Sequence, residues 1–165
     1  MPCLFSGTLI QKDGTTYTFT RTTAGSLTTV PAKTRVIVAD DPGREHITII
    51  WSGRNDYANT DVQYNIAAMR DAMRVAHRRY LVLSIINAVA EPSGSSAYNS
   101  IAARNAELKR MFGHHYLDVR SLINAGTADD TPASANVSAD GLHLNDTGYG
   151  VVAQAVFNEI VRRGW

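Results

Sequence analysis

Tyr80-Leu81-Val82-Leu83-Ser84-Ile85-Ile86 is an almost unbroken apolar run, short enough for a strand and continuous enough to be covered on both faces. It predicts a central strand of a parallel sheet. Upstream, His46-Ile47-Thr48-Ile49-Ile50-Trp51 is a second run of the same kind. Between the two, Val62, Ile66, Met69, Met73 and Ala76 recur at steps of four and three, which predicts an amphipathic helix with these side chains inward. Thr60 followed three residues later by Gln63 predicts a capping box at its start.

Downstream, Ser95 or Ser96 can cap a second helix, whose inward stripe is Ile101, Asn105, Leu108 and Phe112 and which Gly113 ends. Residues 115–119 predict a third short strand, and residues 124–139, with Pro132, an irregular loop. Asn145 or Asp146 then caps a last helix, with Val152, Ala155, Val156 and Ile160 inward and Arg162 and Arg163 in the final turn, where cations complement the helix dipole. Strands alternating with helices predict an α/β fold with helix layers on a parallel sheet.

Residues 1–45 read differently. They are Thr-rich, Thr16-Tyr17-Thr18-Phe19-Thr20 alternates with a period of two, Asp13-Gly14 and Ala24-Gly25-Ser26 are turn-like, and Pro31 punctuates the end. A small antiparallel β segment over 1–45 ahead of an α/β domain over 46–165 is the expected organisation.

Composition bounds the function. The chain has 165 residues, 44% hydrophobic and 19% charged, an ordinary globular balance that excludes disordered, collagen-like and coiled-coil classes. With 16 basic and 15 acidic side chains the net charge is +1, which provides no field for a nucleic-acid backbone, so no nucleic-acid partner is expected. No apolar run approaches the roughly 20 residues of a membrane helix, so no membrane span is expected. Cys3 alone forms no internal disulfide. Met1-Pro2-Cys3-Leu4-Phe5 has neither a basic start nor a sustained apolar stretch, so no secretory signal is read. Compartment stays open, since a cytoplasmic and a virion-associated chain would read alike.

Two stretches carry chemistry, each just after a point where α/β proteins place function. Gly53-Arg54-Asn55-Asp56 follows the first run; a glycine permits a tight turn and the Asn amide can donate a hydrogen bond into a cleft. The bland alternative is an ordinary Asn-Asp turn. Asp140-Gly141-Leu142-His143 precedes the last helix; a carboxylate three residues before an imidazole can hold Nδ1 and leave Nε2 as a general base. Here the alternative is a loop-capping Asp beside a surface His.

In this order, Gly53-Arg54-Asn55-Asp56 and Asp140-Gly141-Leu142-His143-Leu144-Asn145-Asp146-Thr147-Gly148-Tyr149 resemble the SGNH or GDSL-type esterase/lipase superfamily over roughly residues 46–163. The likeness implies a partial flavodoxin-like three-layer α/β/α domain with parallel strands. It implies Asn55 as oxyanion donor, Gly53 as the shaper of its turn, Asp140 as orienter and His143 as base. Acetyl or short-acyl esters, carbohydrate esters among them, would be the substrates, with no cofactor. Trp51 and Tyr57 flank the candidate cleft and could stack on a sugar or acyl group.

The family's Gly-Asp-Ser block, which supplies the nucleophile, and its later Gly block are missing, so the likeness covers a C-terminal portion and implies a split or truncated enzyme. The Thr-rich segment resembles an insertion in some phage-encoded and actinobacterial members. Ser26, in Ala24-Gly25-Ser26-Leu27, follows no buried strand and precedes Pro31, and Ser52 lies where this family does not attack from. Neither is read as the nucleophile. Ser93-Gly94-Ser95-Ser96 reads as turn and cap, and His46, His114 and His115 lack a carboxylate or Cys at ligand spacing, so no metal site is expected. A sheet of three strands would expose an apolar parallel edge. Its expected cover is the Thr-rich segment, a second copy of the chain in a homo-oligomer, or a second polypeptide bearing the Ser. The alternative is a catalytically inactive binding or structural module such as a phage tail component.

Overall fold

The computed structural model describes residues 7–11, 13, 17–26, 29, 46–73 and 79–165. The chain divides into two compact units, Met1–Pro42 and Gly43–Trp165. In the first, β1 (Gly7–Gln11) and β2 (Tyr17–Arg21) pair antiparallel, Gly7 opposite Arg21 and Gln11 opposite Tyr17. The expected Asp13-Gly14 turn falls between them, although Gly14, like Cys3, Pro31 and Ala76, lies outside the described residues. The alternation puts Tyr17 and Phe19 on one face, where both are exposed. Among the described residues of this unit the two paired strands form a single layer, with no second layer over the aromatic face. Ala24-Gly25-Ser26 follows β2, and the Ser26 carbonyl accepts from Arg21.

In the second unit β3 (Thr48–Ile50), β4 (Tyr80–Leu83) and β5 (Tyr116–Leu117) form a parallel sheet in the order β3-β4-β5. Helix α1 (Val62–Ala72) connects the first pair and α2 (Ser96–Phe112) the second; α3 (Arg120–Ile123) and α4 (Asp146–Arg163) follow. The central strand decides the layering. Tyr80 and Val82 join Val62, Ile66, Ile101, Leu108 and Phe112 in one core, while Leu81 and Leu83 join Val119, Ile123, Leu144 and Val152 in another. Successive side chains on a strand point to opposite faces. A run apolar at every position therefore collects helices α1 and α2 on one side and α3 and α4 on the other, an α/β/α arrangement consistent with a partial flavodoxin-like fold. Leu81, Val82 and Leu83 are each within 1% of complete burial, worth about 1.5–3 kcal/mol apiece.

The strands are shorter than the apolar runs. Residues 84–86 stay buried beyond the end of the strand: the Ser84 amide still donates to the Leu117 carbonyl of β5, and Ile85 is then taken over by a side chain. Asn105 Oδ1 accepts from the Ile85 amide and Asn105 Nδ2 donates to its carbonyl, both at 2.8 Å. Hydrophobicity reports burial, whereas strand length also depends on who pairs with the backbone. β5 likewise covers only part of residues 115–119, and the chain turns directly into α3, which the sequence reading did not anticipate.

The α1 start differs from the capping box. Asp61 holds the N-cap position without a side-chain cap, Asn59 Oδ1 accepts from its amide, and Gln63 is buried, taking a hydrogen bond from Arg104 at 3.2 Å. Gln63 is used between helices, so it does not reach back. Met69, expected inward, is 48% exposed. Val62, Ile66 and Met73 keep the stripe, and Arg70 rather than Met69 covers it, with its guanidinium 5.6 Å from the Phe112 ring centre.

Helix α2 follows its expected stripe: Ile101, Asn105, Leu108 and Phe112 are its buried residues, Ser95 caps it by accepting from the Tyr98 amide, and Gly113 ends it at φ 53°. Residues 124–139 are irregular apart from a 3-10 turn at Ser134–Asn136. At α4, Asn145 is the cap: its Oδ1 accepts from Gly148 while its Nδ2 donates to the carbonyls of Ala135 and Val137 at 2.9 and 3.0 Å. Val152 is buried, Ala155, Val156 and Ile160 half-buried, and Arg162 and Arg163 both bind Glu159. β3 has β4 as its one sheet partner among the described residues, and Ile49 on it is 39% exposed. No helix among the described residues is long and apolar enough to cross a membrane.

Candidate active site

The turn ahead of α4 is built around one carboxylate. Gly141 adopts φ 68°, which lets the chain fold back so that Asp140 Oδ1 accepts the amides of Leu142 and His143 at 2.9 and 3.0 Å. Asp140 Oδ2 lies 2.5 Å from His143 Nδ1. The Ser138 amide donates to the His143 carbonyl, and buried Val137 and Leu144 pair across the base of the turn, fastening it to the second core. The hydrogen bond from His143 and those from the two amides hold the Asp140 carboxyl down to about 2. An ionised carboxylate at Nδ1 favours the tautomer with the proton there, which leaves Nε2 to accept one. Both side chains are open to solvent.

The turn after β3 is set by Gly53. Its φ is 103°, and a Cβ there would lie 2.7 Å from Val62 Cγ1 and 3.0 Å from Ile85 Cδ1. Only glycine meets both demands. The Asp56 amide donates to the Gly53 carbonyl at 3.1 Å, which brings Asn55 to the tip, exposed.

These turns meet. Asn55 and His143 line one pocket of about 210 Å³, walled by Trp51, Ile85, Leu142 and Tyr149 among others. Trp51 is fixed there by donating from Nε1 to the Ser84 carbonyl at 3.0 Å and by edge-on contact with Tyr149, ring centres 6.5 Å apart. Asp140 supports the pocket from behind His143. Tyr57 is not brought to it: its ring lies beneath the Arg54 guanidinium and lines a more open groove of about 600 Å³ with Thr60, Ser96 and Asn99. Ser52 lines the pocket, and the ring contact of His143 among the described residues is with Asp140. Ser26 belongs to the first unit.

Sequence reading passed over Tyr149 and Arg54, which also line the pocket, and Glu91, which holds Arg54 at 2.9 Å. Tyr149 could have been found from its place in the first turn of the helix that follows His143. Glu91 carries no local signal, being an acidic residue in a loop. Among the described residues no three His, Cys, Asp or Glu side chains gather as metal ligands. His115 is instead used in packing, stacked on Tyr80 with ring centres 3.9 Å apart and Nδ1 2.9 Å from the Tyr80 carbonyl oxygen; burial pushes its pKa down against the opposing pull of that carbonyl.

No family model matches the chain, and no curated protein matches it. Among solved structures, a Bacteroides fragilis protein provisionally named an acylhydrolase is similar, with a TM-score of 0.58 and 21% identity over 71% of this chain and 62% of that one. The chain thus spans less than two thirds of that protein's length, and what the two share is the fold.

Proposed function

We propose that the chain carries the oxyanion donor and the Asp-His pair of an SGNH-type serine ester hydrolase, and that a partner polypeptide supplies the nucleophilic Ser. The observation that carries this reading is the convergence of Asn55 and His143 on one apolar-walled pocket, with Asp140 2.5 Å behind the imidazole. The Ser oxygen attacks the ester carbonyl carbon while His143 Nε2 takes its proton. Asp140 holds Nδ1–H and stabilises the imidazolium. Asn55 Nδ2 donates to the carbonyl oxygen as it gains charge. His143 returns the proton to the leaving alcohol, and water, deprotonated by the same nitrogen, clears the acyl group. Apolar walls suit an acetyl or short-acyl chain, and a carbohydrate is a fitting alcohol. Among the described residues β3 has no second sheet partner, which supports a partner that adds strands there.

A second reading has an observation of its own. Among the described residues no serine hydroxyl or cysteine thiol is hydrogen-bonded to the His143 ring, whose partner is Asp140, which favours a non-enzymatic binding or structural module, as on a virion or phage tail. An activated acetyl ester separates the two. The chain alone should give no acyl-enzyme burst, whereas addition of a polypeptide bearing a Gly-Asp-Ser strand should give turnover that His143→Ala abolishes. A burst from the chain alone that is lost on mutating Ser26 or Ser52 would overturn the partner requirement, and absence of turnover with every such polypeptide would leave the binding module.

A further inference from the structure

The segment after β4 touches both motif turns at once. Residues 88–91 close a tight turn in which the Glu91 amide donates to the Ala88 carbonyl at 3.0 Å. The Glu91 carboxylate folds back over it: Oε2 accepts from the Ala88 amide at 2.7 Å, and Oε1 and Oε2 lie 2.9 and 3.0 Å from Nη2 of Arg54. Arg54 immediately precedes Asn55. Its guanidinium rests on the Tyr57 ring, 5.0 Å from the centre, and its Nε is buried without a hydrogen-bond partner. The arginine thus gives up one hydrogen bond in this position, with both carboxylate oxygens on a single nitrogen.

On the other side of the turn, the Val89 amide donates to the Gly141 carbonyl at 2.8 Å. Gly141 is the residue between Asp140 and Leu142 on which the His143 turn pivots, and a Cβ on it would lie 3.2 Å from the Val89 Cβ. The bracket has a fixed base. Asn87, fully buried, donates to the carbonyls of Glu91 and Asp130 at 2.9 and 3.0 Å and accepts from Arg120 Nε at 3.0 Å.

We propose that Glu91 is a positioning residue that holds Asn55 and His143 in mutual register, a role that rests on the hydrolase reading of this pocket. Through Arg54 it fixes the turn that carries the oxyanion donor. Through the Ala88 amide it fixes the loop whose next amide grips the turn that carries the base. A donor and a base must address the same carbonyl group, and a displacement of about 1 Å costs on the order of 100-fold in rate. A carboxylate half-sheltered from water, with an arginine and a backbone amide on it, is a stiff link between loops that otherwise share no backbone ladder.

The test uses the chain as it stands, labelled with 15N. Glu91→Ala should shift both the Asn55 side-chain amide and the His143 imidazole nitrogens, and should speed exchange of the Val89 amide by about 10-fold or more while the Leu81 and Leu108 amides keep their wild-type rates. Glu91→Gln, which keeps an oxygen for the Ala88 amide and loses the charge for Arg54, should move the Asn55 signal and spare Val89. Unchanged Asn55 and His143 signals in Glu91→Ala, an unchanged Asn55 signal in Glu91→Gln, or exchange accelerated uniformly through the core would each overturn the proposal. None of these readouts needs a nucleophile. An assembly that fails to cleave esters would therefore remove the enzymatic reading without touching the coupling. In an assembly that does cleave them, Glu91→Ala should lower kcat by about 100-fold with KM within about threefold.

Discussion

Asp140 Oδ2 stands 2.5 Å from His143 Nδ1 while Oδ1 of the same carboxylate takes the amides of Leu142 and His143. One side chain therefore builds the turn and orients the ring it presents. Removing it disturbs both, so its loss cannot be read as loss of charge alone.

The pH response of this turn follows from the position of Asp140. Its carboxyl is held at about 2 in the folded chain, against roughly 4 when free. A depressed value means that the turn's stabilisation is fully present above about pH 4 and is lost as pH falls through 2. Amide shifts of Leu142 and His143 should therefore titrate together with a midpoint near 2; a midpoint near 4 would show that the carboxylate is not engaged.

The two pocket residues should separate kinetically in a complemented assembly. His143→Ala should cost about 10⁴-fold or more in kcat and Asn55→Ala about 10²–10³-fold, with little change in melting temperature because both side chains are exposed. Acetyl-ester turnover beside a thermal melt checks this, and a large fall in melting temperature for either variant would contradict it.

Asn105 should matter to stability rather than chemistry. It satisfies both backbone groups of buried Ile85 at the point where β4 leaves the ladder. Asn105→Leu fits the apolar stripe and strands one donor and one acceptor, at a cost of about 2–5 kcal/mol. Denaturant unfolding measures it; a neutral result would mean that another group reaches Ile85.

Gly53→Ala should combine a strained φ with a Cβ 2.7 Å from Val62. The expected loss is about 2–4 kcal/mol, together with a displaced Asn55 signal in amide spectra. Gly94→Ala, also at positive φ but with open space around it, should cost less, which separates the steric part from the backbone part.

The layering was legible because every position of Tyr80-Leu81-Val82-Leu83 is apolar, and a strand with two buried faces needs helices on both. The α2 stripe was legible because Ile101, Leu108 and Phe112 are unambiguous and Ser95 and Gly113 mark the ends. The α1 start was misread because Gln63 serves equally as a capping side chain and as a partner for Arg104, and only the neighbouring helix decides between them. Asn55, Asp140 and His143 were named because each sits in a short local pattern. Arg54 and Glu91 were not, because their relation spans 37 residues and leaves no periodicity. Trp51 and Tyr57 look alike in sequence, six residues apart, yet a hydrogen bond to Ser84 keeps the first in the pocket while an arginine draws the second away.

The sheet has a kinetic meaning as well. Thr48 meets Tyr80 and Val82 meets Tyr116, partners about 30 residues apart, so neither pairing forms until a long loop has closed. The backbone hydrogen bonds within α2 are local and its start and stop are well marked, so it should gain protection first in pulse-labelled hydrogen exchange. The pocket lies across the ends of β3 and β4 and under the last turn to dock. It should therefore be the last region to become protected, and a nascent chain would hold Asn55 while the 88 residues up to His143 were still being added.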